Sequence, residues 1–455
     1  MRHGNAVLSP SYMLRKLSKL SLLLTAVGLF LACGHFLFNN LNARSMVTGI
    51  DHQDVSVRLE NATFVMLVRN NEVHSARTSI RYVEDRFNHK YHYPWIFLND
   101  RPFSRDFKAM TENLVSGEAT YAQIPREHWS MPDWVDKQKA KKCLKSFAEK
   151  GILYGGSESY RHMCRFFSGF MAKQPELLKY DYYWRVEPNT QLYCDIDYDP
   201  FTFMRTNNKK YGWVINLKEF ASTIESLWGT VQNFTLENPQ YVHPNNSVGF
   251  IVNDHKNITS GSYNLCHYWS NFEIAALDFW RSPVYTEYFE YLDRTGNFFY
   301  ERWGDAPVHS IAASIFLDRE EVHWFYDIGY RHHPFTHCPE PRKEFHESGK
   351  CYCNPLENFD RNYYSCSREY KKMLSKPVGY FEIDASNHQK DDVRSPEGTR
   401  IQKKSNNNDN NKNKMIEINH PKFAIINEND KINEKNARQQ ARVENLKHAG
   451  VLVSK

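Results

Sequence analysis

The chain has 455 residues, 41% of them hydrophobic and 24% charged, which leaves room for one large or several average domains. A net charge of +5 is too small to make a basic stripe, so no nucleic-acid partner is expected. Aromatic residues reach 15% of the chain, and their faces serve both to fill cores and to lie against the apolar side of a sugar ring.

Taken in order, residues 1–19 carry Arg2, Arg15, Lys16 and Lys19, whereas only Arg44 follows the next segment closely. That segment, 20–38, is apolar apart from small residues, hydroxyls and His35. As a helix it would span about 28 Å, close to the ~30 Å hydrocarbon core of a bilayer. The charge asymmetry predicts a cytoplasmic tail at 1–19, a transmembrane signal-anchor at 20–38 and a lumenal remainder, a single-pass type II arrangement. A cleaved signal peptide lacks the A-x-A site it needs, and the residues before Cys33 fit lipid attachment poorly. Residues 39–60 form a polar stem. Outside the anchor there are eight cysteines, an even set that predicts disulfides in an exported domain without choosing their pairing. The C-Y-C at 351–353 has the wrong spacing for a zinc knuckle. Sequons at Asn61, Asn233, Asn245 and Asn257 agree with a lumenal route.

Residues 61–370 are expected to form one α/β domain. The apolar run at 62–69 predicts a strand, 75–87 a helix, 95–100 a second strand and 107–116 a second helix. Later strands are expected at 182–188 and 211–216. This alternation predicts a mixed, largely parallel sheet flanked by helices. Ligands of such sheets bind beyond the carboxyl ends of the strands, which places Arg69, Asn99, Asp100, Glu187 and Asn216 on one rim. Residues 371–400 are an extension of uncertain character. From 401 to 455 the chain is rich in Asn and Lys and too poor in apolar residues to offset its ordering entropy, which predicts disorder.

Four segments could carry chemistry. In YYWRVEPN, 182–189, Glu187 closes a strand where one carboxylate oxygen can meet a hard divalent ion bridging two phosphates. Its plainer role is an ion pair with Arg185. In YNLCHYWSNFEIAALDFWRS, 263–282, Glu273 is a carboxylate among aromatics, suited to facing an anomeric carbon. Periodicity alone puts it on a helix whose aromatic neighbours are core. In FYERWGDAPVHSIAAS, 299–314, Asp305 is expected at a helix N-cap. In IGYRHHPFTHCP, 328–339, His332 or His333 could bind a metal, with His337 nearby, and spacing does not choose. No P-loop, G-x-G-x-x-G or Ser-His-Asp arrangement competes.

Together with NATFVMLVRN at 61–70, YPWIFLND at 93–100, LYGGSESYRHMCRFFSGF at 153–170 and NNKKYGWVI at 207–215, these segments resemble the fungal α-1,2-mannosyltransferases of glycosyltransferase family fifteen, in that family's order. The resemblance implies a GT-A-like single catalytic domain behind a Golgi membrane anchor. It also implies Mn2+ as cofactor, GDP-mannose as donor, a mannose-terminated N- or O-linked glycan as acceptor, and retention of configuration. It assigns Glu187 and His332 to the metal. Arg69, Tyr160, Arg165 and Arg185 fall to the donor, and Glu273, Asp305 and Glu219 to the sugar cleft. Mannosyl-phosphate transfer to mannan and non-catalytic mannan binding are the alternatives.

Overall fold

The computed structural model describes residues 59–253 and 258–375. The expected cytoplasmic tail, the anchor at 20–38, nearly all of the stem, Asn257 and everything from 376 onward lie outside the described residues. Among the described residues no helix is long and apolar enough to cross a membrane.

The central sheet has seven strands in the order β10-β6-β9-β4-β1-β2-β3. They are β1 (Ala62–Leu67), β2 (Trp95–Asn99), β3 (Ala119–Gln123), β4 (Tyr182–Val186), β6 (Tyr211–Trp213), β9 (Phe272–Ala276) and β10 (Val322–Trp324). Only β9 runs against its neighbours, antiparallel to both β4 and β6. The other pairings are parallel, as the strand–helix alternation predicts. A three-stranded ladder joins β5 (Thr190–Leu192), β11 (Tyr330–His332) and β12 (Phe335–His337). A two-stranded one joins β7 (Asn216–Lys218) and β8 (Cys266–Tyr268).

The described helices of eight residues or more are α1 (Val73–Arg86), α2 (Arg105–Glu112), α3 (Lys137–Glu149), α4 (Glu158–Gly169), α5 (Leu227–Glu237), α6 (Pro283–Arg294), α7 (Asp305–Phe316) and α8 (Ser367–Leu374). The sheet separates two cores, because successive strand side chains point to opposite faces. Phe64, Met66, Trp95, Phe97 and Trp184 pack on one side with Ala76, Ile80 and Val83 of α1. Val65, Ile96, Leu98, Tyr183, Tyr211 and Trp213 face the other core, with Phe166 and Phe167 of α4 and Val308 and Ile311 of α7. Every residue of α7 is buried, so this helix runs through the protein's interior.

Two expectations about elements change. The stretch 211–216 is not one strand: β6 ends at Trp213, and Asn216 opens β7 in a separate ladder. Asn216 is buried there, accepting from Ser367 Oγ at 3.2 Å, so it does not reach the rim. Glu273 lies in a strand, β9, not on a helix; the helical register begins only at Leu277. Six of the eight cysteines are disulfide-bonded, as Cys194–Cys351, Cys266–Cys366 and Cys338–Cys353. Cys143 and Cys164 are free thiols. The one close group of three metal-ligating side chains among the described residues is Cys266, Cys366 and Glu369, whose sulfurs are spent in a disulfide.

Candidate active site

The parallel strands deliver Arg69, Asn99, Asp100 and Glu187 at or just beyond their carboxyl ends. On β4 the alternation puts Tyr183, Arg185 and Glu187 on one face, with Glu187 at the open end. Arg185 is buried and its fork is divided. Nε and Nη2 donate to Glu187 Oε1 at 2.8 and 2.7 Å, and Nη1 donates to Asp305 Oδ2 at 2.6 Å. The guanidinium lies 3.4 Å above the Phe167 ring centroid. A planar fork with bound partners on two sides is a role for arginine and not for lysine.

Asp305 is the first residue of α7, and Gly304 is the N-cap, one position earlier than expected. Its carboxylate also accepts from Ser270 Oγ at 2.7 Å. Burial by itself would raise the Asp305 pKa, but Arg185, His309 and the Ser270 bond outweigh it and hold the group below the ordinary carboxylate value. The N-terminus of α7 adds to the preference for a negative charge.

A second cluster adjoins the first. Arg302, also buried, donates to Tyr160 Oη at 3.1 Å and to Glu219 Oε1 at 3.2 Å. Glu219 Oε2 comes within 3.6 Å of where a Cβ on Gly304 would sit, which ties this cluster to the Gly304–Asp305 turn. Burial raises the Tyr160 phenol well above its usual range, so it stays protonated. Its oxygen accepts from Arg302, and its hydroxyl also meets the Cys164 thiol. Tyr154 stacks on the Tyr160 ring at 4.6 Å, and Arg69 Nη2 donates to Ser159 Oγ at 2.5 Å. Arg69 is thereby drawn to the start of α4 beside Tyr160.

His332 ends β11 directly opposite Thr190 of β5, three residues after Glu187, and Thr190 Oγ1 donates to the Glu187 carbonyl at 2.9 Å. Its ring meets Trp269 edge-on at 5.0 Å. Nδ1 is 3.2 Å from the His333 carbonyl, which can only accept, so Nδ1 carries the hydrogen and Nε2 keeps a free lone pair. Burial is the main reason its pKa falls to about 4, helped by the Arg185 charge, so the ring is neutral at neutral pH. His333 is exposed. His337 is buried between Asp360 Oδ2 at 2.8 Å and the Tyr326 carbonyl at 2.7 Å, a structural histidine. Of the three, His332 alone combines a neutral ring with a position beside Glu187.

The structure thus gathers Glu187, Arg185, Asp305, Glu219, Tyr160, Arg69 and His332 into one neighbourhood. Arg165 is not among them. Its Nε and Nη2 bind Asp293 of α6 bidentately at 2.7 and 2.8 Å, and its guanidinium lies 4.7 Å from the Phe170 ring centroid. With Nη1 donating to the Ser130 carbonyl at 3.4 Å as well, every hydrogen bond of Arg165 points toward Asp293 and Ser130 and none joins it to the Glu187 cluster. Glu273 sits one layer deeper, fully buried. Ser270, Arg302, His309, Tyr183 and Tyr211 were not anticipated from the sequence. For His309 a signal existed: four residues after Asp305 on a helix is the same face. An open groove of about 650 Å3 along α1, lined by His74, Arg77, Arg81 and Asp85, shares none of these residues.

The sequence profile of the glycolipid 2-alpha-mannosyltransferase family matches residues 39–375. The chain belongs to this family. It is 53% identical over 323 residues to alpha-1,2 mannosyltransferase KTR1 of Saccharomyces cerevisiae, covering 70% of this chain and 81% of that protein. It is 52% identical to glycolipid 2-alpha-mannosyltransferase 2 of Candida albicans, over 70% and 68% of the two chains. Among solved structures, core-mannan synthase A from Aspergillus fumigatus in its Mn/GDP form is 40% identical with a TM-score of 0.64, over 70% of this chain and 86% of that one. The GDP complex of the mannosyltransferase Ktr4p from S. cerevisiae is 37% identical with a TM-score of 0.67, over 71% and 84%. Within this mannosyltransferase family the mixed, largely parallel α/β sheet is the shared scaffold.

Proposed function

We propose that this chain is a retaining, Mn2+-dependent α-1,2-mannosyltransferase that moves mannose from GDP-mannose to a mannose-terminated N- or O-linked glycan of cell-wall mannoprotein. The observation that carries this reading is the open end of the charge series Asp305–Arg185–Glu187. There Glu187 Oε1 takes both Arg185 bonds, leaving Oε2 for a cation, and the free Nε2 of His332 stands on the adjoining ladder. One carboxylate oxygen and one neutral imidazole nitrogen suit Mn2+ when a diphosphate supplies further oxygens. Bound there, the ion would act as a Lewis acid for the departing GDP.

The remaining residues have parts that need no metal. Tyr160 donates its phenolic proton to a diphosphate oxygen, oriented by Arg302, and Arg69 adds charge at the same side. Asp305 and Glu219 line the sugar cleft and fix hydroxyl groups. Arg185 keeps Glu187 and Asp305 apart in charge and together in space. The charge asymmetry around 20–38 and three disulfides in the fold support a Golgi type II protein with its catalytic domain in the lumen.

The full-length chain in detergent, given GDP-mannose, methyl α-mannoside and Mn2+, should yield an α-1,2-linked dimannoside and GDP. Omitting Mn2+ should suppress it. Release of GMP with a phosphodiester signal in phosphorus NMR would mean mannosyl-phosphate transfer instead. Absence of any product with mannoside acceptors would leave a mannan-binding protein.

The pH dependence of cofactor binding follows from His332. Its folded pKa of about 4 lies below the ordinary ~6.5, so the ring stays able to bind a metal well into acid. Mn2+-supported GDP affinity, followed by calorimetry, should hold down to about pH 5. A loss centred near pH ~6.5 would remove His332 from the metal site.

A further inference from the structure

Directly beneath the Arg185–Asp305 pair lies a second one. Glu273 is the cross-strand partner of Arg185, and its carboxylate has no solvent-exposed surface. Tyr183 donates to Oε1 in a short hydrogen bond, and Tyr211 donates to Oε2 at 3.2 Å. His309, one turn along α7 from Asp305, places Nδ1 3.0 Å from Oε2. The other ring nitrogen, Nε2, is 3.1 Å from the Phe167 carbonyl, and the ring stacks on Trp280 at 4.3 Å.

The proton count of this pair is settled by what each atom can do. A carbonyl oxygen only accepts, so Nε2 carries a hydrogen. A neutral ring would then point the Nδ1 lone pair at a carboxylate lone pair, which is repulsive. One further proton therefore lies between Nδ1 and Oε2, and the buried pair is neutral overall. This removes the penalty of an isolated buried charge.

A carboxylate that attacks an anomeric carbon needs an open approach and a lone pair free to form the bond. Glu273 has neither: its surface is closed and both oxygens are engaged by three side chains. We infer that Glu273 and His309 are positioning residues that share one buried proton and lock α7 against β9, holding Asp305 and Arg185 at the cleft, and that mannose is transferred without an ester to Glu273. This rests on the mannosyl-transfer reading and specifies how retention is not achieved.

The test is a set of three variants of the full-length chain, each checked for Mn2+-dependent GDP binding by calorimetry before kinetics. In Glu273→Gln the amide can donate to Nδ1 of a neutral His309 and to the Tyr211 phenol oxygen, while its carbonyl accepts from Tyr183. The pair stays neutral with every bond replaced. This variant should keep its Tm and lose about 10- to 100-fold in kcat, the range for groups acting through another residue. His309→Gln leaves the Glu273 carboxylate buried without its proton, and should melt lower and turn over more slowly than Glu273→Gln. Adding Glu273→Gln to His309→Gln should raise the Tm and kcat again, because the stranded charge is gone. A nucleophile behaves oppositely: Glu273→Gln would bind GDP normally yet lose ~10^4-fold or more in kcat, and the double variant would be as dead. That result, or a double variant melting no higher than His309→Gln, overturns the inference. If the wild-type chain itself makes no mannoside, the mannosyl-transfer reading fails first, and the Tm comparison still decides the shared proton.

Discussion

Arg185→Met should destabilise the protein by about 3–5 kcal/mol and reverse the direction in which its stability changes in acid. Arg185 is buried and bonded to two carboxylates. Methionine fills much of the volume against Phe167 but leaves Asp305 buried with only Ser270 and His309 to answer its charge. In the native protein Asp305 has a depressed pKa, so its contribution is present above the unfolded value of ~3.9 and disappears as pH falls through the lower folded value. Without Arg185, burial dominates and raises the Asp305 pKa above the unfolded value. The folded variant then binds a proton more readily than the unfolded chain, and its stability increases as the pH drops through that raised value. Urea denaturation between about pH 7 and 4.5 should therefore show the variant recovering while the wild type holds or declines. Parallel curves would mean that Arg185 does not set the charge state of Asp305. Arg185→Lys keeps the charge but cannot span both carboxylates, and should fall between the two.

How much of this was visible in the sequence depended on how local each signal was. The run ATFVML could be recognised as a central strand because both its faces are buried, and β1 lies in the middle of the parallel half of the sheet. Glu187 and Arg185 could be recognised as a pair because they stand two apart on one strand face. Strand β9 escaped recognition because FEIAALDFWRS passes from strand to helix with no glycine or proline between. Ala276 is the last strand residue and the cap of the following helix at once. The break between β6 and β7 was hidden in the same way, since Val214 and Ile215 continue the apolar pattern across a change of sheet. Nothing local marks Arg165 as paired, because its partner, Asp293, is 128 residues away. The resemblance put Arg165 and Tyr160 in one segment, 153–170, but could not say that one faces α6 and the other the cleft. The His309–Glu273 pair is legible only once α7 is laid against β9.

Glu187→Ala should abolish the effect of Mn2+ on GDP binding while leaving the fold nearly intact. Two parts for Glu187 are compatible with its position: a ligand through Oε2, and a partner for Arg185 through Oε1. They separate in this variant. Arg185 keeps Asp305, so no buried charge is left without a counter-ion, and the stability loss should be about 2 kcal/mol, in the range for hydrogen bonds to a charged group. If Glu187 is a ligand, calorimetry should find GDP affinity unresponsive to Mn2+, and transfer should fall by about a thousandfold, ~4 kcal/mol of barrier. His332→Ala should reproduce the loss of Mn2+ response, although it leaves the Arg185 pairing untouched. The double variant should be no worse than either alone, because a site already emptied cannot be emptied twice. Were Glu187 only a partner for Arg185, GDP binding would keep its full dependence on Mn2+, and transfer would fall only as far as stability does.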